Sequence, residues 1–265
     1  MHRCHSGGSI VVQPDAGYGV TPIDPGDGKG PMNEKRATTT HGIFERSART
    51  YDLLNHLFSL NLDRRWRKVL VLFAGVESPG EVLDACCGTA DLAIAFARRL
   101  PVRVVGVDFS ENMLRVGRAK LRRRRLEGRI ELLEGNVLQL PFADGRFDAA
   151  AVAFGLRNVT DRAEALVEMV RTLKPGAPLL VLEFSPPKLA FPGRLYRFYL
   201  GRIMPAVGGI VSGAPETYRY LHDSVLAFLR PEEVRHLMDA AGLQRVRVRR
   251  LGGGIVYLWR GIRAA

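Results

Sequence analysis

Cysteine is scarce in this chain, which holds three, Cys4, Cys86 and Cys87. Three thiols make no disulfide framework, and no cysteine or histidine grouping has the spacing of metal ligands, so no metal is expected. The sequence also lacks an apolar run long enough to span a bilayer and an apolar secretory core at its N-terminus. These absences point to a protein of a reducing compartment, the cytoplasm. Acids are in short supply, 27 against 39 lysines and arginines, giving a formal charge of +12. That excess suits nucleic acid, an anionic membrane surface or an acidic substrate. Much of it falls in one run, Arg115, Arg118, Lys120, Arg122 to Arg125 and Arg129, which contains no aromatic residue. Stacking on bases needs aromatics among the cations, so nucleic acid is not expected; the run reads as a solvated helix face, the alternative being a basic face resting on anionic lipid.

Glycine is missing where a dinucleotide site would need it. The stretch Val82 to Asp91 reads as a buried strand, a turn of small residues and the start of a helix, yet only Gly88 of the turn is glycine. With no glycine-rich helix entry to receive a pyrophosphate, NAD is disfavoured. The turn opens on Asp84, and a second strand, Val102 to Val107, ends in Asp108 about twenty residues later. In an open parallel sheet these strand ends face one crevice, and an acid at the second takes ribose hydroxyls. A carboxylate at Asp84 would repel a phosphate but suits a cation. A ligand with a ribose, a sulfonium and no phosphate fits both acids: S-adenosylmethionine.

Apolar periodicity is weak in residues 1–40, which are rich in Gly, Pro, Asp, Ser and Thr and read as a flexible tail. Residues 41–265 then form one α/β domain. Helical spacing runs through Ile43 to Phe58 and Trp66 to Phe73, placing Tyr51 and Asp52 before the first strand as candidates to look into the crevice. After the turn come a helix from Asp91 to Leu100, the second strand, a helix from Asn112 to Arg125, and a third strand from Ile130 to Leu133. Asn136 follows that strand, where its amide could read an adenine edge or simply form a turn. Phe147 to Phe154 is apolar but for Asp148, as a strand covered on both faces should be. The loop after it carries Arg157 and Asn158 to the crevice mouth. A helix from Ala163 to Leu173 and a strand from Leu179 to Phe184 follow. Residues 186–230 form a long insertion rich in aromatics, including Tyr218, Tyr220 and His222; such an insertion reads as a lid over a greasy substrate. A helix over Pro231 to Ala241 and two strands around Gly252 to Gly254 complete the domain.

From about Tyr51 to Gly261 the chain resembles the ubiquinone/menaquinone biosynthesis C-methyltransferase family of the class I S-adenosylmethionine-dependent methyltransferases. The stretches that carry the resemblance are Tyr51 to Asn55, Leu83 to Asp91, Leu140-Pro141-Phe142, Phe154 to Thr160, Leu173 to Gly176, Leu182 to Ser185 and Tyr218 to Leu221. The Gly155-Leu156-Arg157-Asn158 core separates this family from its relatives. The resemblance implies a Rossmann-like, mostly parallel seven-stranded sheet with helices on both faces and a helical lid. It implies cofactor contacts at Thr89, Asp108, Asn136 and Val137, with Ala153 also close, alongside Asp84 and Gly88 of the turn read above. Two positions depart from the family pattern. Ala90 stands where glycine is usual, and its methyl is expected to crowd the cofactor; Ala153 stands where serine is common and loses a hydroxyl contact.

The implied reaction is methylation of a prenylated quinol ring carbon, demethylmenaquinol to menaquinol, or alternatively of a methoxy-polyprenyl benzoquinol in ubiquinone biosynthesis. A different class of role is that of a non-catalytic partner in a quinone-pathway assembly. Arg157 is expected to stabilise the developing oxyanion or orient a water, with Asn158 on a ring oxygen. Tyr51, Asp52, Tyr220 and His222 are candidates for ring contacts or proton acceptance. Peripheral contact with the inner face of the membrane, and a homodimer, are compatible with this reading.

Overall fold

The computed structural model describes residues 59–76, 80–186 and 222–265, together with His56 and Arg202. Tyr51, Asp52 and Tyr220, the 1–40 tail and most of the 186–230 insertion lie outside the described residues. The elements run α1 (Leu62–Ala74), β1 (Glu81–Ala85), α2 (Asp91–Arg99), β2 (Arg103–Asp108), α3 (Glu111–Arg124), β3 (Ile130–Glu134) and β4 (Ala149–Ala153). They continue through α4 (Arg162–Thr172), β5 (Pro178–Phe184), α5 (Pro231–Ala240), β6 (Leu243–Leu251) and β7 (Val256–Arg263).

The strands form one seven-stranded sheet in the order β3-β2-β1-β4-β5-β7-β6. β1 to β5 pair in parallel, while β7 runs antiparallel to both β5 and β6. The chain builds outward from β1 to β3, then returns to lay β4 on the other side of β1. That reversal opens a crevice beyond the carboxyl ends of β1 and β4, where ligands of such sheets bind.

The burial pattern follows from the two-residue period of a strand. Val82, Val104, Ala149, Ala151, Leu180, Leu182 and Leu258 belong to one core, under α1, α2 and α3. Their neighbours Leu83, Val105, Ala150, Val152, Leu179, Val181 and Trp259 belong to a second, under α4 and α5. A sheet covered on both faces needs continuous apolar strands, which is what the sequence supplies. β4 begins two residues later than its apolar run, because Phe147 makes only an isolated bridge to Leu173. The helices start on local signals: Ser110 Oγ accepts from Met113 N at 3.3 Å, and Asp161 accepts from Glu164 N at 2.9 Å. At the sheet edge, β6 exposes Arg245, Arg247 and Arg249, whose charge discourages pairing with a further strand.

The candidate active site

β1 ends in Asp84 and Ala85, and the turn that follows places three residues, Cys86, Gly88 and Ala90, in left-handed backbone at φ 53°, 53° and 67°. Alternating hands coil the turn against the end of β2. Cys87 N donates to Val107 O at 3.0 Å, and Gly88 N donates to Asp108 Oδ2 at 2.7 Å. Ser110 N donates to the other oxygen of Asp108 at 3.0 Å. Asp108 is thereby fixed between the turn and the entry to α3. Asp84 Oδ2 accepts from Ala93 N at 2.8 Å, which ties the strand end to the first turn of α2.

Both acids line one cavity of about 510 Å³, a size suited to a small-molecule ligand. Its floor is the turn from Cys86 to Thr89. One side carries Phe109 and Met113 after β2 and Gly135 to Leu138 after β3; the other carries Ala153 to Gly155 and Asn158 to Thr160 after β4. Of the residues expected to hold the cofactor, Asp84, Gly88, Thr89, Asp108, Asn136, Val137 and Ala153 all lie on this wall. Asn136 is also a turn former, its Oδ1 accepting from Leu138 N at 3.0 Å.

The electrostatics match a cationic ligand. Among the described residues the cavity wall carries three acids, Asp84, Asp91 and Asp108, against one cation, Arg67. A pyrophosphate would meet net repulsion there. Burial pushes the Asp84 carboxyl up to about 8, against partial relief from the Ala93 amide and Arg67. Burial also works to raise Asp91, but Arg67 and Lys120 outweigh it and hold that carboxyl below its usual value. Burial and the neighbouring Asp108 and Asp84 carboxylates drive both thiols, Cys86 and Cys87, well above the ordinary cysteine range, so neither is poised as a nucleophile.

Several expectations need correction. Arg157, expected on the wall, lies behind it: its side chain is 5% exposed and its Nη1 donates to Glu183 Oε1 at 2.8 Å and to Phe154 O. Its guanidinium rests 5.5 Å over the Phe184 ring. The short helical turn Leu156–Asn158 points successive side chains in different directions, so Asn158 reaches the cavity while Arg157 turns inward. His222 pairs with Asp223 at 2.9 Å and is not on the described cavity wall. Ala90 does not crowd the cavity. It is fully buried, and its methyl faces α3, 3.5 Å from where a side chain on Gly117 would begin. Nor is the basic run wholly solvated, since Lys120 is buried and donates to Thr89 Oγ1 at 3.0 Å and Asp91 Oδ1 at 2.5 Å.

Arg67 and Asp91 escaped the sequence reading as wall residues. Arg67 stands one turn after the buried Asp63 on the inner side of α1, and opposite charges at that spacing beside Trp66 are the available signal. Near them His56, Asp63 and Asp91 bring ligand-type atoms within 4.8 Å of one another. Arg67 and Lys120 already supply positive charge to that group, so it does not need a metal.

The strand order, the single antiparallel β7 and the cavity beyond β1 and β4 define a Rossmann-like fold of the class I methyltransferase type. A solved S-adenosylmethionine-dependent methyltransferase of Thermotoga maritima shares it at a TM-score of 0.58 and 22% identity, over 84% of this chain and 99% of that one. The profile of the "ubiE/COQ5 methyltransferase family" matches residues 31–263, and the chain belongs to that family. A ubiquinone/menaquinone biosynthesis C-methyltransferase of Syntrophotalea carbinolica is 46% identical over 226 residues, spanning 85% of this chain and 94% of its own. A demethylmenaquinone methyltransferase of Thermus thermophilus is 46% identical over 201 residues, 76% of this chain and 90% of its own.

Proposed function

We propose that this enzyme methylates a ring carbon of a prenylated quinol, converting demethylmenaquinol to menaquinol in menaquinone biosynthesis, with S-adenosylmethionine as methyl donor. The observation that carries the reading is the pair of acids at neighbouring strand ends, in a cavity whose wall bears three acids and one cation. Two features favour the cofactor. A side chain at Gly88 would begin in space open to 4 Å, so the turn presents bare backbone, and Asp108 stands at the strand end that receives a ribose. The bound cofactor supplies an electrophilic methyl on a sulfonium.

The residues of the chain bind, align and shield. Asp108 takes the ribose hydroxyls, Asn136 and Val137 hold the adenine edge, and Gly88 and Thr89 support the centre. Ala153 sits at the end of β4 beside the reacting region. Leu92, Phe154 and Val159 give the ring an apolar wall that excludes water. A ring carbon becomes nucleophilic when the neighbouring hydroxyl loses its proton. Asn158 then holds a ring oxygen, and Arg157, locked to Glu183, fixes the loop that presents Asn158. Tyr51, Asp52 and Tyr220 are the candidates to accept the proton. A prenylated ring resides in the bilayer, so the reaction carries peripheral membrane contact; among the described residues no helix is long and apolar enough to cross a membrane.

A benzoquinol is the second reading, favoured by relatives whose names cover both ubiquinone and menaquinone biosynthesis. Anaerobic incubation with S-adenosylmethionine and both reduced rings in competition, read by mass spectrometry, separates the two. Methylation of the naphthoquinol alone assigns the chain to menaquinone synthesis, and methylation of both makes it a shared step. Methylation of neither, with cofactor bound, refutes the substrate.

A further inference from the structure

We infer that Arg67 is a cofactor-binding residue, the anchor for the α-carboxylate at the amino-acid end of S-adenosylmethionine. This rests on the reading of the cavity as the cofactor site.

The strand order gives the site a direction. Asn136 and Val137 follow β3, Asp108 ends β2, the turn follows β1, and Phe154 follows β4. Crossing from β3 to β4 takes three inter-strand steps of about 4.8 Å each, roughly 14 Å. With the ribose at Asp108 and the adenine toward β3, the amino-acid end falls on the β1 and β4 side. Arg67 stands there: its guanidinium lies 5.2 Å from the centre of the Phe154 ring and acts electrostatically on both Asp84 and Asp91.

The charge pattern then requires a cation. The amino-acid end carries an ammonium and a carboxylate beside the sulfonium. Asp91, and Asp84 once the cationic ligand has drawn off its proton, suit the two positive groups but repel the carboxylate. Among the described wall residues only Arg67 can answer it.

The side chain is also held for the purpose. Its Nη1 donates to Asp63 Oδ2, the one hydrogen bond its guanidinium makes among the described residues, leaving Nη2 and Nε to a ligand. Asp63 is itself buried and braced, accepting from Ser59 Oγ at 2.7 Å and lying 2.8 Å from His56 Nδ1. A planar fork fixed on one side presents its remaining donors in the geometry that a carboxylate accepts.

The test compares S-adenosylmethionine with its decarboxylated analogue, which keeps the sulfonium, ammonium and adenosine, by calorimetric titration of the full-length protein. The wild type should bind the analogue about ten- to a hundredfold more weakly. In Arg67→Met that discrimination should vanish, through lost affinity for S-adenosylmethionine alone. Arg67→Lys, which keeps the charge and loses the fork, should retain part of it and serves as the reference if the methionine variant does not fold. Equal affinity of the wild type for both ligands, or undiminished discrimination in Arg67→Met, overturns the inference and leaves the proposed function standing. If the wild type binds neither ligand, both fall together.

Discussion

Replacing Glu183 with glutamine should damage this protein more through Arg157 than through the lost carboxylate. Glu183 is fully buried, and Arg157, 5% exposed at its side chain, donates to it at 2.8 Å. Glu183 Oε2 also accepts from Arg157 N at 3.3 Å, so the pair holds the backbone of the loop as well as its side chain. Breaking a buried ion pair strands a charge in low dielectric at a cost of about 3–5 kcal/mol. For a domain of this size that lowers the melting temperature by roughly 6–20 °C. Scanning calorimetry on Glu183→Gln reads the loss, and a companion Arg157→Met/Glu183→Leu variant should recover most of it, because an apolar pair leaves no charge stranded. Turnover separates support from chemistry. If Arg157 acts by presenting Asn158, the apolar pair should regain much of the methyl transfer along with the stability; if its charge acts on the substrate, stability returns and activity does not. A Glu183→Gln protein that melts like the wild type would refute the buried-pair argument.

Four further outcomes follow from the same geometry. Asp108→Asn keeps the shape of the acceptor and loses its charge, so affinity for S-adenosylmethionine should fall about ten- to a hundredfold by calorimetry. Ala90→Gly should leave that affinity unchanged, because the methyl faces Gly117 and not the cavity; stability should shift by less than about 1 kcal/mol, relief at φ 67° being offset by the lost buried methyl. Burial raises Asp84 from 3.8 to about 8, so the folded protein keeps a proton that the unfolded chain has released. The resulting stability is full below pH 3.8 and is lost as pH rises toward 8. Melting temperature should therefore fall over that window, more steeply than in Asp84→Asn. A cationic ligand favours the carboxylate, so cofactor binding at neutral pH should release up to about one proton, measured by calorimetry in buffers of different ionisation heat.

What the sequence made legible was the part governed by short-range rules. Short apolar runs set the strands apart from the helically spaced segments, and an acid at each of two strand ends about twenty residues apart locates the crevice. The parallel order followed, because apolar strands alternating with amphipathic helices cover a sheet on both faces. What failed was side-chain direction. Lys120 belongs to a charged run in the sequence, yet it lies seven residues after Met113 and three after Gly117, on the same buried stripe of α3. Position after a strand points Arg157 to the cavity, but a three-residue helical turn rotates neighbours apart. Ala90 was judged by the residue type usual there, and only the left-handed turn shows its methyl pointing into the core. Arg67 offers locally only its i,i+4 spacing from Asp63, and the cavity shows what that pair is for.

The central claim is carbon methylation of a quinol by this chain, and one assay reaches it directly. Purified full-length protein would be incubated without oxygen with reduced demethylmenaquinone and S-adenosylmethionine bearing a deuterated methyl group, and the product ring analysed by mass spectrometry and NMR. The account predicts the labelled methyl on the ring carbon next to a hydroxyl, with S-adenosylhomocysteine formed in equal amount. Label on oxygen, or cofactor bound and no label transferred to the naphthoquinol or the competing benzoquinol, would contradict it.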